Sequence, residues 1–301
     1  MKTEVTFAGV KMKNPVTTAS GTFGSGMEFS QFVDLNKLGA VTTKGVADKP
    51  WAGNEVPRVA ETYGGMLNAI GLQNPGIDVF LQRDLPFLKN YDTRVIVNVC
   101  GHSIEEYTAV VERLAEEKDV DLLEINISCP NVKEGGITFG TDPKMAELVT
   151  KEVKKRAKQP VIMKLTPNVT DITEIARAVE AGGADGVSLI NTLTGMKIDT
   201  KTRRILLANR TGGMSGPAVH PVAVRMCYDV AHAISLPIIG MGGISNAEDA
   251  IEMMLAGATM VAVGTASFHN PFAAQEVAEG IEKYLADNHI EDVNELIGAA
   301  I

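Results

Sequence analysis

The chain has 301 residues, of which 45% are hydrophobic and 22% charged, and this composition excludes the disordered and collagen-like classes. A net charge of −9 disfavours a nucleic-acid partner, because binding to phosphates needs a basic surface. The three cysteines and five histidines lack the spacings of a disulfide framework or a zinc site, so we predict no metal.

The sequence shows neither the pattern of a signal peptide nor that of a membrane span. The first residues, MKTEVTFAGVKMKNP, lack the apolar centre of a signal peptide, and no apolar run approaches the ~18 residues of a membrane span. We therefore expect a soluble, cytoplasmic protein without a membrane partner. Since no linker or shift in composition interrupts the chain, we also predict a single domain over residues 1–301.

The predicted elements begin with a short β-hairpin, formed by Val5–Phe7 and Val10–Met12 around a turn at Ala8-Gly9. Eight apolar runs follow and alternate with helical patterns. Runs that are apolar throughout are typical of strands buried on both faces. These runs are Val16–Ala19, Ala40–Thr43, Val95–Val99, Leu122–Ile127, Val161–Leu165, Gly186–Ile190, Ile238–Met241 and Met260–Val263.

Start signals mark several of the helices between these runs. The tetrapeptides at 103–106 and 245–248 each have the spacing of a capping box that begins at a serine. Asp142-Pro143 predicts an N-cap followed by proline in the first turn.

Eight strands that alternate with helices predict a (β/α)8 barrel, an α/β fold of typically ~250 residues. A doubly wound sheet is the alternative, but the glycines at 21–26 have the wrong spacing for its nucleotide-binding loop. Two predicted connections are long, Lys44 to Arg94 after the second strand and Asn191 to Pro237 after the sixth. Long connections are usually functional, and both lie on the side of the barrel where such enzymes bind substrates.

Every predicted barrel strand ends in a polar residue or in glycine. An isolated asparagine there is usually a turn former, and an isolated lysine is usually solvated. Because the carboxyl ends of barrel strands meet at one mouth, the set predicts a small-molecule site. In chain order these ends are Ser20, Lys44, Asn98, Asn126, Lys164, Asn191, Gly242-Gly243 and Gly264-Thr265.

The chemistry of these strand ends indicates which class of ligand the site would bind. Glycines after the last two strands are typical of the phosphate site of this fold, and Gly216 adds a further point of close backbone approach. Asparagine amides, including Asn68 in the first long connection, suit a planar heterocycle with alternating C=O and N–H groups. Lys44 and Lys164 suit an anionic ligand.

Cys129 lies three residues after Asn126, in the polar segment NISCPNVKEGG. A thiol has a pKa of ~8.5, so it is a usable base near neutral pH with modest help. We interpret Cys129 as catalytic. Cys100 and Cys227 are interpreted as buried structural residues, the commoner fate of cysteine.

Over nearly its whole length the sequence resembles the dihydroorotate dehydrogenases. The motifs that carry the resemblance are TTASGTFG, TTKGV, NAIGLQNPG, INISCPNVKEGG, VIMKLTPNV, SLINTL, GGMSGPAVHP, IGMGGI and AVGTA. A cysteine at the catalytic position and the lack of a hydrophobic N-terminal extension resemble the class 1 enzymes. NAIGLQNPG and MSGPAVHPVAVR are most similar to class 1B, the NAD-linked subfamily.

The resemblance implies oxidation of dihydroorotate to orotate in pyrimidine (UMP) biosynthesis, with one FMN per chain. Cys129 would be the base that removes a proton from the substrate, while a hydride passes to the flavin. Residues expected to bind the substrate are Lys44, Asn68, Ala69, Ile70, Gly71, Leu72, Asn126, Asn191 and Thr192. Residues expected to bind FMN are Ser20, Lys44, Gly45, Asn98, Asn126, Lys164, Ile190, Gly216, Gly242, Gly243, Gly264 and Thr265.

The resemblance also implies a partner. Class 1B catalytic subunits form a homodimer and join a second subunit that carries FAD and an iron–sulfur cluster, as a heterotetramer of two of each. This sequence lacks a dinucleotide-binding fingerprint and a cysteine cluster of its own, so FAD, the cluster and the NAD site are expected on that partner.

Other interpretations stay open at this point. One is a class 1A homodimer that reduces fumarate without a partner. A second is a barrel aldolase in which Lys44 or Lys164 forms a Schiff base. A dihydrouridine synthase is disfavoured by the acidic charge, and an inactive barrel that serves as a scaffold is disfavoured by the intact set of polar residues.

Overall fold

The computed structural model describes residues 1–128 and 139–301. Its strands are β1 (Val5–Phe7), β2 (Val10–Met12), β3 (Val16–Thr18), β4 (Ala40–Thr42), β5 (Val59–Thr62), β6 (Gly65–Asn68), β7 (Arg94–Val99), β8 (Leu122–Asn126), β9 (Val161–Lys164), β10 (Gly186–Leu189), β11 (Leu193–Gly195), β12 (Ile198–Asp199), β13 (Arg204–Ile205), β14 (Gly212–Ser215), β15 (Ile238–Met241) and β16 (Met260–Val263). Its α-helices are α1 (Ser20–Phe23), α2 (Ile77–Val79), α3 (Leu85–Leu88), α4 (Ile104–Leu114), α5 (Pro143–Lys154), α6 (Ile172–Ala181), α7 (His220–Ala233), α8 (Ala247–Leu255), α9 (Ala266–His269) and α10 (Ala273–Asp287). A π-helical segment covers Phe80–Asp84, and short 3-10 helices cover Phe29–Gln31, Leu35–Lys37, Pro217–Val219 and Val293–Leu296.

Within these ranges, eight parallel strands form one sheet in the order β3-β16-β15-β10-β9-β8-β7-β4. Each strand coincides, to within one residue at either end, with one of the predicted apolar runs. The strands are buried on both faces because helices cover them outside and their own side chains fill the interior. The predicted (β/α)8 barrel is therefore confirmed.

Threonine side chains join the two end strands of this order, β3 and β4. The Thr17 and Thr42 hydroxyl oxygens are 3.0 Å apart. The Thr42 backbone N–H donates to the Thr18 hydroxyl oxygen at 3.2 Å, and that hydroxyl faces the Thr42 carbonyl at 3.5 Å. We call these three residues the threonine seam. Hydrogen bonds that involve threonine side chains thus close the barrel between β3 and β4.

The predicted N-terminal hairpin is confirmed, with β1 and β2 antiparallel and Val5 opposite Met12. Its Phe7 ring is fully buried and lies against Gly186, the first residue of β10. A Cβ on Gly186 would come within 2.8 Å of that ring. The hairpin therefore packs at the amino-terminal end of the barrel strands, opposite the mouth.

The helix starts agree with the predictions only in part. Asp142 caps α5 as predicted, and its carboxylate accepts the Met145 N–H at 2.9 Å. Ser103 caps α4, but the Glu106 carboxylate accepts from His102 rather than closing the box. The capping box predicted at 245–248 is wrong, because the N-cap lies one residue later in the chain.

Helix α8 begins one residue later because Asn246, rather than Ser245, is its N-cap. The Asn246 side chain accepts the Asp249 N–H at 3.0 Å. The Asp249 carboxylate in turn accepts the Ser245 N–H at 2.8 Å. The Asp249 carboxylate therefore bonds to the residue before the N-cap, as the Glu106 carboxylate does at α4, so the capping box is not closed here either.

The two long connections combine into a second sheet, which we call the cover sheet. Its order is β11-β14-β6-β5, and all of its neighbours are antiparallel. Asn68 of β6 lies opposite Gly213 of β14, so the first connection pairs directly with the second. A small apolar core of Leu67, Ala69 and Leu207 supports this sheet.

Residues 1–128 and 139–301 contain neither a membrane-spanning helix nor a metal-binding cluster. There, no helix combines the length and apolar character needed to cross a bilayer. Nor do three or more His, Cys, Asp or Glu side chains gather there as potential metal ligands.

Candidate active site

A cavity of about 520 Å³ lies between the carboxyl ends of the barrel strands and the cover sheet. This volume is within the range of small-molecule sites. Asn126 and Lys164 line it from the barrel, and Met66 and Gly213 line it from the cover sheet. The two long connections therefore convert an open barrel mouth into a covered pocket.

The structure brings the predicted site residues together in this cavity. Those that line it are Ser20, Lys44, Gly45, Asn68, Ala69, Ile70, Gly71, Leu72, Asn98, Asn126, Lys164, Ile190, Asn191, Thr192, Gly216, Gly242, Gly243, Gly264 and Thr265. Cys129 lies outside the described residues. Which ligand atom each residue contacts stays a prediction.

The floor of the cavity contains a buried polar cluster, consisting of Asn98, Glu124, Lys164 and Ser188 on four consecutive barrel strands. The Glu124 carboxylate accepts from the Asn98 amide at 2.5 Å and from the Ser188 hydroxyl at 2.7 Å. Its distance to the Lys164 ammonium is 3.8 Å. A buried carboxylate is tolerated here because it has two donors and a cation as neighbours.

Lys44, the first residue of the first long connection, provides a second cation at this cavity. Burial lowers the pKa of its ammonium, and the nearby Lys164 charge lowers it further. Cys100 acts in the opposite direction and is fully buried beneath the rim. Two ammonium groups in one partly buried cavity favour an anionic ligand, because its charge would relieve their repulsion.

Asparagine side chains on the barrel rim are held in fixed orientations. The Asn126 side-chain oxygen accepts from the Ser128 hydroxyl at 2.8 Å, and the Asn191 amide donates to the same hydroxyl at 2.5 Å. The Asn191 oxygen accepts the Thr192 N–H at 2.8 Å. Ser128 thus links two predicted substrate residues from strands that are not neighbours.

Four glycines lie at the ends of β14, β15 and β16 and line the cavity. We call Gly216, Gly242, Gly243 and Gly264 the glycine rim. Gly216, Gly242 and Gly243 have φ values of +109°, +132° and +71°, which favour glycine. A Cβ on Gly243 would lie 2.7 Å from the His220 Cβ and 2.9 Å from the Gly216 oxygen. His220 also contacts the Gly242 carbonyl through Nδ1 at 2.8 Å.

The sequence interpretation missed, among others, two residues, one beneath this cavity and one that lines it. Glu124 interrupts an otherwise apolar run, and a lone charge in a buried strand was the signal available. Asn168 also lines the cavity; its amide donates to the Thr192 carbonyl and its oxygen accepts the Thr194 N–H, both at 2.9 Å. It stands in the quoted motif VIMKLTPNV but was not selected.

The two described cysteines are both buried, as the sequence predicted. Cys227 lies in α7, and burial raises the pKa of its thiol to about 12. A thiol of this kind is protonated at neutral pH and is therefore a poor nucleophile or base.

Comparisons with known proteins agree with this architecture. A family model described as dihydroorotate dehydrogenase matches residues 2–285. The chain is 71% identical over 298 residues to a protein of Lachnoclostridium phytofermentans named dihydroorotate dehydrogenase B (NAD(+)), catalytic subunit, with 99% of both chains covered. It is 63% identical to a protein of the same name from Alkaliphilus oremlandii, covering 98% of this chain and 97% of that one.

A solved structure supports the fold independently. The crystal structure of DHODH in complex with ferulenol from Eimeria tenella matches with a TM-score of 0.81 and 21% identity, covering 99% of this chain and 88% of that one. Barrel, mouth cavity and family match therefore agree, and the chain belongs to the dihydroorotate dehydrogenase family.

Proposed function

We propose that this chain is the catalytic subunit of an NAD-linked dihydroorotate dehydrogenase, which oxidises dihydroorotate to orotate in pyrimidine biosynthesis. One observation carries the proposal. The covered cavity at the barrel mouth gathers asparagine amides, two ammonium groups and a glycine rim, in a chain 71% identical to a protein named as such a subunit.

The residues of the cavity fit FMN. The buried Asn98 Oδ1 has no hydrogen-bond donor among the described residues, so it suits a ring N–H. Lys164 supplies a cation beside it, and Ser20, Gly45 and Ile190 complete the residues proposed for the ring. When bound, FMN supplies a ring that accepts a hydride. The residues proposed for its phosphate and tail are Gly216, Gly242, Gly243, Gly264 and Thr265.

The remaining polar side chains suit dihydroorotate, a cyclic amide with a carboxylate. The Lys44 ammonium would pair with that carboxylate, since both are removed from bulk water in the cavity. Asn126 and Asn191 are proposed to bind the ring amides, with the Ser128 link limiting how their side chains can turn. Thr192 and the segment from Asn68 to Leu72 complete the proposed substrate site.

Cys129 is proposed as the base that takes a proton from the substrate ring while the hydride leaves it. The support is its position in the chain, directly after Ser128 of the rim. A positioned general base typically contributes 10²–10⁴-fold to the rate. Its removal should therefore slow proton transfer while leaving the flavin site intact.

The test uses the visible absorption of bound flavin. We would add dihydroorotate anaerobically to the purified parent protein and to Cys129→Ala, and follow the loss of colour. The parent should bleach; the variant should retain its flavin and bleach at least ~100-fold more slowly. Cys227→Ala, which removes a buried thiol elsewhere, is the matched control. Equal bleaching rates in parent and Cys129→Ala would remove Cys129 from the mechanism.

We further propose that electrons leave through a separate subunit that carries FAD and an iron–sulfur cluster, in an assembly of two of each built on a homodimer of this chain. The support is the name "catalytic subunit" shared by the relatives. Reduction of NAD only after addition of the partner subunit would support this route; turnover with fumarate by the isolated chain would favour the class 1A alternative. A single domain over residues 1–301 and a cytoplasmic location stay predictions.

A further inference from the structure

Glu124 is the one charged group of the buried polar cluster that the proposed mechanism does not use. Only 1% of the residue is exposed, and it sits in the middle of β8, beneath the cavity lining rather than in it. Neighbouring strands place Asn98 directly opposite it and Ser188 opposite Lys164. A carboxylate in this position is costly to bury, so its retention calls for an explanation.

Hydrogen bonding occupies both carboxylate oxygens without involving the lysine. Oε2 accepts from the Asn98 amide at 2.5 Å and Oε1 accepts from the Ser188 hydroxyl at 2.7 Å. The Lys164 ammonium stands 3.8 Å from Oε2, which is too far for a hydrogen bond. Glu124 therefore offsets the charge of Lys164 while leaving the N–H donors of the ammonium available to a ligand in the cavity.

The same contacts fix the Asn98 amide. A carboxylate only accepts hydrogen bonds, so the NH₂ group of Asn98 must face Glu124 and Oδ1 must face away. That oxygen is the buried atom without a donor among the described residues. Glu124 thus acts on two groups at the floor of the cavity: it orients the acceptor oxygen of Asn98 and offsets the charge of the Lys164 ammonium.

The charge of the site follows from three groups. Lys44 and Lys164 line the cavity, and across the described residues no aspartate or glutamate lines it with them. Glu124 lies beneath and reduces their combined charge from +2 to +1. Charges in such a buried site interact strongly, because little water screens them.

We propose that Glu124 is a positioning residue of the flavin site, which orients Asn98 and lowers the reduction potential of the bound flavin by partly cancelling the charge of Lys164. This inference rests on the proposed function. The reduced ring carries more negative charge than the oxidised ring, so an uncompensated cation would stabilise it and hold its electrons. A lower potential favours passing both electrons onward to a weak oxidant such as a nicotinamide.

The experiment measures the midpoint potential of FMN bound to the parent protein and to Glu124→Gln, by anaerobic reductive titration against a reference dye. Glutamine removes the charge but still accepts from Asn98 and donates to the Ser188 oxygen. We expect the reduced form to be favoured at least tenfold in the variant, a positive shift of about 30 mV for a two-electron couple. Binding of FMN to the apoprotein is measured in parallel and should change less than about threefold.

Ser188→Ala is the matched control, since it removes a hydrogen bond to Glu124 but no charge, and its potential should equal that of the parent. If Glu124→Gln does not fold, the same measurement is made on Glu124→Met, which also removes the charge, and the same positive shift is expected. Two results would overturn the inference. One is a potential in Glu124→Gln whose shift favours the reduced form by less than threefold over the parent. The other is an equal shift in Ser188→Ala. A parent that binds no FMN would instead overturn the proposed function.

Discussion

Substitution of Gly243 by alanine tests why glycine is required at this position: to leave space for a ligand, or to avoid a clash within the protein. The simplest expectation from the sequence is that a side chain there would take the place of a phosphate. The structure gives a different reason. The added Cβ would lie 2.7 Å from the His220 Cβ and 2.9 Å from the Gly216 oxygen, at a φ of +71°. Alanine therefore collides with the chain before any ligand is present.

The magnitude can be estimated from these two effects. A left-handed conformation costs alanine roughly 1–2 kcal/mol, and overpacking costs about 1–3 kcal/mol. The free energy of unfolding of Gly243→Ala should thus fall by about 2–5 kcal/mol relative to the parent. At roughly 2 °C per kcal/mol for a chain of this size, the melting temperature should fall by about 4–10 °C.

The assay is thermal unfolding of the apoproteins, with Gly264→Ala as the matched control. A Cβ on Gly264 would meet only the Ala19 Cβ at 3.3 Å and the Thr22 hydroxyl oxygen at 3.8 Å. Gly264→Ala should melt within about 2 °C of the parent and is the better probe of ligand space, through its affinity for FMN. Equal melting temperatures for the two alanine variants would refute this reasoning.

Three further predictions concern other parts of the molecule. Thr18→Val should lower the free energy of unfolding by about 1–3 kcal/mol, because the buried Thr42 N–H loses its acceptor; chemical denaturation measures this, and an unchanged midpoint would show that the threonine seam does not stabilise the barrel. Because burial lowers the pKa of Lys44, orotate affinity should decline with rising pH at values below the ordinary lysine pKa of 10.5, and Lys44→Met should abolish that dependence in a binding titration. Across the same window the unfolded chain holds the Lys44 proton more tightly than the folded chain, so this group makes the free energy of unfolding rise with pH. Cys227 should resist alkylation at pH ~8 in the folded protein and react after unfolding, as read by mass spectrometry; rapid labelling of the native protein would contradict its burial.

The barrel strands were predictable because burial on both faces leaves them few polar positions. Residues 186–190 and 238–241, for example, are apolar or small throughout, and the structure places strands there. The residues at their carboxyl ends were predictable for a related reason: a barrel brings all such ends together, whatever the connections do. This fold rule was sufficient to bring together the residues at the strand ends, whereas residues 69–72 and Thr192 came from the family resemblance and Asn168 was missed.

The cover sheet could not be predicted in the same way. Its strand β5 is half exposed, and neither VAET nor GMLN has a strong strand pattern. Its stability depends on pairing between Asn68 and Gly213, which are distant in sequence, and no local signal reports such a pair. Similarly, Ser245 and Asn246 are both good N-caps, so only the three-dimensional fit decides between them.

The pairing of the two connections has a consequence for synthesis on the ribosome. The Asn68 side chain donates to the Gly213 carbonyl across a separation of 145 residues. At a translation rate of ~5–20 residues per second, β5 and β6 are synthesised roughly 7–30 s before β14, the partner strand of β6. Since the residues proposed for the flavin phosphate extend to Thr265, flavin can stabilise the site only after this interval, and the exposed edge of β6 must be kept from aggregating until then by other means.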